Sequence, residues 1–569
     1  MTRLVIDPVS RVGGHLRVEV ELTDRTVSDA WTSGTMYRGI ERVLEGRDAR
    51  DAWLYAQRVC GTCGIAHAIA SARAVENALG LKIPRNARLL RNLMAGVQLV
   101  VDHAAGFYLS QALDWVDLAS ALDADPASTS TLARTLSDWP SSSPSYFTAV
   151  QQRLATLLKS GQPGPFAHAD WGHPAYALAP DANLMVAAHY LEALDWHRNM
   201  MRIQVILGGK SPHPQTFLVG GMALAAAWGG PMRPSPGEHQ WDLETTSPPA
   251  LSANGLADVG RLLDQAKAFV EQVYVPDVTA ILKAYGGQSP TDAGIGHYLS
   301  FGDFPEDDSD RPALLLPRGR VMGGDLSGAV PVSDTGVGES VDHSWYTTGA
   351  DDGALVHPRD ERTEPHYAGP RPPYAALDGF DRYSWVKAPR YEDDPMEVGP
   401  LARLLVAVAS AGDAASALSR AVAEVGLGPE ALFSGLGRTG ARAIESMFVA
   451  KRLSAWLADL KENMAAGDLA MADISTWDVE TWPAEAAGWA IGESARGAVG
   501  HWLTIRNHRI ERYQIVDATT WNGSPRDRRG RRGAIEQALI GTRVVDPDRP
   551  LEILRTVRSF DPCLTCAVH

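Results

Sequence analysis

Asn86-Ala87-Arg88-Leu89-Leu90-Arg91-Asn92-Leu93-Met94-Ala95-Gly96-Val97-Gln98-Leu99-Val100-Val101-Asp102-His103-Ala104 decides the fold. Apolar residues return every three or four positions, from Leu89 and Leu90 through Leu93, Met94, Val97, Val100 and Val101 to Ala104, Phe107 and Tyr108. That is the stripe of a helix facing a core, and it extends over residues 86–117. Residues 183–207, 257–285, 401–424 and 440–463 repeat the pattern, so a bundle of long helices is expected at the centre. Ahead of it, His15 to Leu22 alternate polar and apolar before a Thr23-Asp24-Arg25 turn, the signature of a small antiparallel sheet. Between about 290 and 400 the chain becomes rich in Gly, Pro and Asp, with short β-like pieces at 313–316 and 319–322. The expected fold class is therefore α+β and mainly helical: a central long-helix bundle, a small N-terminal antiparallel sheet and short peripheral strands. We read 1–569 as one domain, with a β region at 1–40, a helical part at 41–290, an irregular part at 291–400 and a helical and metal-binding part at 401–569.

Composition narrows the function. With 45% hydrophobic and 21% charged residues the chain is globular, and its net charge of −15 opposes attraction to nucleic-acid phosphates. The run Arg526 to Arg532 holds five arginines, but it follows Trp521-Asn522-Gly523-Ser524-Pro525 and reads as a loop or subunit contact. The start lacks the apolar core of an export signal, because Asp7 and Pro8 interrupt it. The weakly polar stretch 219–232 is broken by four glycines and Pro231, so no direct membrane span is expected. Gly435-x-Gly437-x-x-Gly440 mimics a dinucleotide fingerprint, yet it follows a helical Pro429-Glu430-Ala431-Leu432-Phe433, so a break between two helices explains it better.

The four cysteines form two Cys-x-x-Cys pairs, Cys60/Cys63 and Cys563/Cys566, with none left over. Two intervening residues let both sulfurs of a pair face one metal. Spacing alone favours a structural four-cysteine zinc site joining the two chain ends.

The flanking residues carry a resemblance. Arg58-Val59-Cys60-Gly61-Thr62-Cys63-Gly64-Ile65-Ala66-His67 and Asp561-Pro562-Cys563-Leu564-Thr565-Cys566-Ala567-Val568-His569 resemble the two metal-binding motifs of nickel–iron hydrogenase large subunits. So do Asp7-Pro8-Val9-Ser10-Arg11, Arg38-Gly39-Ile40-Glu41, Gly208 to Pro214, His343 to Tyr346, Tyr383 to Tyr391 and Thr519 to Asn522. The quinone-site subunit of respiratory complex I shares this ancestry but has lost the cysteines, which all stand here.

The resemblance implies an enzyme, a nickel–iron uptake hydrogenase (hydrogen:acceptor oxidoreductase) that splits H2 into protons and electrons. Cys60 and Cys563 would bind nickel alone, and Cys63 and Cys566 would bridge to an iron carrying one carbon monoxide and two cyanides. Arg496 resembles the arginine over the metals that is proposed as base, with Asp102 and Asp561 pairing to it. Thr519 would hydrogen-bond a cyanide, and His67 would donate to a bridging sulfur. Glu41, the backbone carbonyl of Ile515 and His569 resemble the ligands of a buried magnesium ion. The end at His569 matches the family's processed form. Four cysteines committed to the centre leave none for an iron–sulfur relay, so an iron–sulfur small subunit is the implied obligate partner, with higher assembly of heterodimers. We expect a cytoplasmic location, the alternative being a membrane-associated or periplasmic one through the small subunit.

One departure stands out. The family reads Arg-Ile-Glu-Gly-His where this chain has Arg11-Val12-Gly13-Gly14-His15, so the glutamate that would take the proton from the nickel-bound sulfur is a glycine. Ordered water beside Gly13 is expected to carry the proton instead, toward Glu41 or His15. The exchange resembles the actinobacterial type.

Overall fold

The computed structural model of the protein describes residues 2–167, 169–224, 251–286, 292–309, 312–348, 355–360, 363–369, 376–379, 381–410, 420, 422 and 429–569. The stretch quoted first forms the helix Arg85–Ala105, with Leu90, Leu93, Met94 and Val97 buried. It does not continue as α-helix to 117. At Gly106–Gln111 the coil widens into a π-turn, then tightens at Ala112–Asp114, which turns the chain away from the helix axis. The helix Gly435–Ala465 packs on it at Gly96, where a Cβ would stand 2.8 Å from Leu453 Cδ2. The missing side chain thus sets how closely the two helices approach. Pro180–Gly208 and the continuous coil Ala253–Phe269, Val270–Tyr274 and Val275–Tyr285 complete the bundle. The helix Pro400–Ala409 begins the expected 401–424 element, most of whose remainder lies outside the described residues.

The N-terminal sheet is antiparallel, with strands Thr2–Ile6, Leu16–Thr23 and Thr26–Gly34 in sequence order. Asp24 and Arg25 both take left-handed backbone angles (φ 50° and 63°), the two-residue turn whose twist matches the flanking strands. Leu16, Val18, Val20 and Leu22 form one buried face and pack against Ile535, Leu539, Val557, Leu564 and Val568. The start of the chain is thereby pinned to its last fifty residues.

One segment corrects the sequence reading of 401–569 as helical. Glu485–Ser494, Gly497–Arg506 and Arg509–Val516 form a second three-stranded antiparallel sheet. Glycines at 488, 492, 497 and 500 erase the alternation that marks a strand. They serve packing: a Cβ on Gly488 would lie 2.1 Å from Ala74 O, so the helix Gly64–Leu79 rests directly on the strand backbone. The Gly435 motif opens the long helix after a short helical turn, Pro429–Leu432, with the Ser434 hydroxyl accepting the Gly437 amide at 3.2 Å. Among the described residues a helical turn, not a strand, leads into it. Between 292 and 398 the described chain makes short strand pairs, among them Leu314–Leu316 and Gly319–Val321 with neighbours at Asp303–Pro305 and Tyr298–Ser300. No helix among the described residues is long and apolar enough to cross a membrane.

Candidate metal centre

Four elements converge on the cysteines: the start of helix Gly64–Leu79, the end of helix Arg85–Ala105, the tip of the 494/497 hairpin and the C-terminal segment. Cys63 caps the first of these. The amides of Thr62 and Cys63 donate to Cys60 Sγ at 3.3 and 3.1 Å, which curls the loop around that sulfur. Gln98 clamps the same loop, donating to Thr62 O and accepting from the Ile65 amide at 3.1 Å. Opposite, the Cys563 amide donates to Thr519 Oγ1 at 2.9 Å, and the Leu564 amide to Gly13 O at 2.6 Å. The Sγ atoms of Cys60 and Cys563 lie 3.7 Å apart, Cys63 and Cys566 3.4 Å, and Cys563 and Cys566 3.1 Å. All four sulfurs are buried.

Their proton affinities show what such a cluster requires. Hydrogen bonds from Cys563, Cys566 and Cys63 push the Cys60 thiol well below its ordinary value. Contact with Cys563 pushes Cys63 well above it, and burial does the same to Cys566. Neighbouring negative charges suppress one another's ionisation, so four thiolates at these distances need a multivalent cation among them. Soft sulfur donors from both chain ends suit nickel, iron or zinc.

Arg496 sits at the tip of the two-residue turn joining paired Ser494 and Gly497. Its Nη2 lies 3.1 Å from Asp561 Oδ2 and its Nη1 3.7 Å from Asp102 Oδ2, while Nε donates to Asp561 O at 3.0 Å and Nη1 to Thr62 Oγ1 at 3.2 Å. Asp561 adopts a left-handed φ of 50°, uncommon for a non-glycine, which aims its carboxylate at the guanidinium. Burial would lower the proton affinity of Arg496, but Asp561, Cys563 and Asp102 raise it well above the ordinary value. Burial pushes Asp102 up to about 7 although Arg496 pulls it down.

The His67 ring is held through one nitrogen and leaves the other without a hydrogen bond. Its Nδ1 pairs with His501 Nε2 at 3.0 Å, and His501 Nδ1 with the Tyr513 hydroxyl at 2.7 Å. Its Nε2 is buried without a hydrogen-bond partner, and a His67 nitrogen, Asp517 and Cys566 bring their donor atoms within 4.8 Å of one another. Thr519 accepts the Cys563 amide, so its own O–H proton stays available to a ligand in the centre.

Glu41, Ile515 and His569 also meet. The Ile515 amide donates to Glu41 Oε1 at 2.8 Å, His569 Nε2 lies 2.5 Å from Ile515 O and 3.4 Å from Glu41, and Lys387 Nζ lies 3.5 Å from Glu41. Burial alone would raise the Glu41 carboxyl, yet Lys387 and His569 hold it below its ordinary value. The carboxylate and the carbonyl suit a hard cation, for which the imidazole is a less usual third donor.

Several partners escaped the sequence reading. Asp517, which caps the helix Ala518–Asn522 by accepting the Thr519 amide at 2.8 Å, stands two residues before the quoted Thr519 motif and carries an N-cap signature that could have found it. His213, inside a quoted motif, donates to Cys60 O at 2.7 Å while Arg58 donates to its other nitrogen at 3.1 Å. His501 lies mid-strand with no local signal. The arginine run 526–532 is tied to this chain's own acids: Arg526 and Arg532 to Asp29 at 2.5 and 2.7 Å, and Arg531 to Asp527 at 2.8 Å.

With this geometry in place, comparison with known proteins is informative. The family model described as nickel-dependent hydrogenase matches residues 38–569. The uptake hydrogenase large subunit of Bradyrhizobium diazoefficiens is 44% identical over 586 residues, covering 100% of this chain and 95% of that protein. The hydrogenase-1 large chain of Escherichia coli K12 is 42% identical over 582 residues, with the same two coverages. Among solved structures, the [NiFeSe]-hydrogenase of Desulfomicrobium baculatum superposes with a TM-score of 0.76 at 32% identity, each chain covered completely. Shared sequence along the whole length, shared fold and two cysteine pairs meeting at one buried point agree, and the chain belongs to the nickel-dependent hydrogenase family.

Proposed function

We propose that Cys60, Cys63, Cys563 and Cys566 would hold a nickel–iron centre through their sulfurs, the iron also carrying one carbon monoxide and two cyanides. The chain is the large subunit of an uptake hydrogenase and oxidises H2. Its reading rests on one observation: the four sulfurs are roofed by Arg496 between Asp102 and Asp561. A structural zinc site has no use for a buried guanidinium whose charge two neighbouring carboxylates already offset. When bound, the metal pair supplies an open coordination position that polarises H2 and takes up its electrons.

The side chains divide the remaining work. Arg496 stays a fixed cation, because the carboxylates beside it strengthen its hold on its protons. It would donate hydrogen bonds to a cyanide and help exclude bulk water, and the Thr519 hydroxyl would donate to another. Asp102, with a proton affinity near neutrality, is better matched than Arg496 to accept a proton and pass it on. Gly13 lies against Cys563, where a Cβ would stand 3.1 Å from Sγ, so a proton leaving that sulfur has no carboxylate at position 13 to receive it. Water there, leading toward Glu41 or His15, fills that role. Glu41, the Ile515 carbonyl and His569 would hold magnesium, which ties the C-terminal segment to the second sheet.

An iron–sulfur small subunit takes the electrons, with heterodimers pairing further, and we assign the assembly to the cytoplasmic side, as the resemblance to the actinobacterial type supports. Purification of the chain with its native partner tests this. H2-dependent reduction of an artificial acceptor, equimolar nickel and a co-purifying iron–sulfur chain are expected. Stoichiometric zinc without H2 oxidation would overturn it.

A further inference from the structure

We infer that Arg403, held by Glu445, is a positioning residue that fixes Arg496 over the centre. Arg403 lies on the helix Pro400–Ala409 and does not touch the cysteines. All five of its N–H groups are engaged. Nε and Nη2 donate to the two oxygens of Glu445, each at 2.6 Å, and Nη1 donates to Glu493 Oε2 at 2.7 Å. The remaining two donate to the carbonyls of Ser494 at 3.0 Å and Ala495 at 2.9 Å, the two residues that lead into Arg496.

Glu445 also accepts from His103 Nε2 at 2.6 Å, and His103 adjoins Asp102 in the chain. A closed ring results: Asp102, His103, Glu445, Arg403, the hairpin carbonyls, Arg496, and back to Asp102 at 3.7 Å. Both members of that pair are therefore set by one buried ion pair. The start of the same helix adds a second constraint. Gly399 and Gly497 lie back to back, a Cβ on Gly497 standing 2.7 Å from Gly399 N and one on Gly399 3.0 Å from Arg496 O.

A buried guanidinium needs partners for all five N–H groups, and two of those partners here are carbonyls of the backbone that leads into Arg496. The two carbonyl bonds are what a fork-shaped guanidinium adds, and a lysine, with its donors on one nitrogen, cannot span Glu445 and the hairpin together. Misplacing a positioned group by about 1 Å can cost about a hundredfold in rate.

This inference rests on the nickel–iron reading, and the test separates the two. In the purified heterodimer, Arg403→Lys and Glu445→Gln are compared with wild type for nickel content, cyanide infrared bands, kcat and backbone hydrogen exchange. The expected result is normal nickel, shifted cyanide bands, kcat lower by about ten- to a hundredfold with KM for H2 little changed, and faster exchange confined to residues 494–497. In an Arg496→Lys background, Arg403→Lys should cost less than about twofold, because the group it places is already changed. Unchanged cyanide bands and kcat in folded, nickel-loaded variants would overturn the inference and leave the centre standing. Exchange that rises across the whole 485–516 sheet, or loss of folding in both variants, would assign the cluster to stability and overturn it as well. A wild-type protein without nickel or cyanide bands would overturn the centre and the inference together.

Discussion

Gly106 leaves the space that Asp561 occupies: a Cβ on Gly106 would stand 3.2 Å from Asp561 Oδ2. This glycine begins the π-turn that ends the Asp102 helix, so one helix end supplies a carboxylate to Arg496 and clears room for the other. Gly106→Val should push Asp561 off the guanidinium and lower H2 oxidation by about ten- to a hundredfold, with Tm changed by only a few degrees. Wild-type turnover in a folded Gly106→Val protein would show that the Asp561 contact is dispensable.

Position 13 is open to a direct test of the proton route. Gly13→Glu places a carboxylate against Cys563, whose sulfur must yield by a few tenths of an ångström. The pH–rate profile of Gly13→Glu should gain a carboxylate limb that Gly13→Gln lacks, with Gly13→Ala as the steric control. Superimposable profiles for all four proteins would remove position 13 from the route.

The acid limb of stability has a defined sign. Burial would raise the Glu445 carboxyl, but Arg403 and His103 hold it down to about 2. A lowered folded value means stability that is present above the ordinary value of 4.5 and lost as pH falls toward 2, on the order of 3 kcal/mol in all. Glu445→Gln should therefore melt below wild type at pH 7, and the gap should narrow between pH 5 and pH 3.5. Glu536 runs the opposite way: burial pushes it up to about 7, so its contribution is fully present below 4.5 and is lost as pH rises through 7, and Glu536→Gln should gain on wild type over that range. A melting-temperature series with constant gaps at every pH would contradict both assignments.

Removing the metal should expose the frustration of the thiol cluster. Because the sulfurs join segments about 500 residues apart, a nickel-free preparation should melt at least about 5 °C lower. Brief iodoacetamide treatment should then label Cys60 first, a thiol that its sulfur neighbours hold well below its ordinary value. Equal labelling of loaded and nickel-free protein would mean that no metal occupies the sulfurs.

What could be read from sequence follows the range of the interactions. Within the described residues the helices of the bundle, apart from the break after Ala105, together with the 24–25 turn and both cysteine motifs, are written in local spacing and stand where that spacing put them. The 485–516 sheet was hidden because its glycines answer to the helix lying on it, a contact between residues more than 400 apart. The site divides in the same way. Cys60, Cys63, Cys563, Cys566, Arg496, Asp102 and Asp561 lie in motifs or match them, and the fold gathers them. Arg403, Glu445 and His501 stand in helices and strands whose periodicity explains burial but not polarity, and only their partners reveal a purpose.

The most direct test is infrared spectroscopy of the purified heterodimer between the amide and C–H stretching regions, with nickel, iron and zinc measured on the same sample. One carbonyl band and two cyanide bands with equimolar nickel are the predicted result. Stoichiometric zinc with an empty spectrum in that window would contradict the account and return the four cysteines to a structural role.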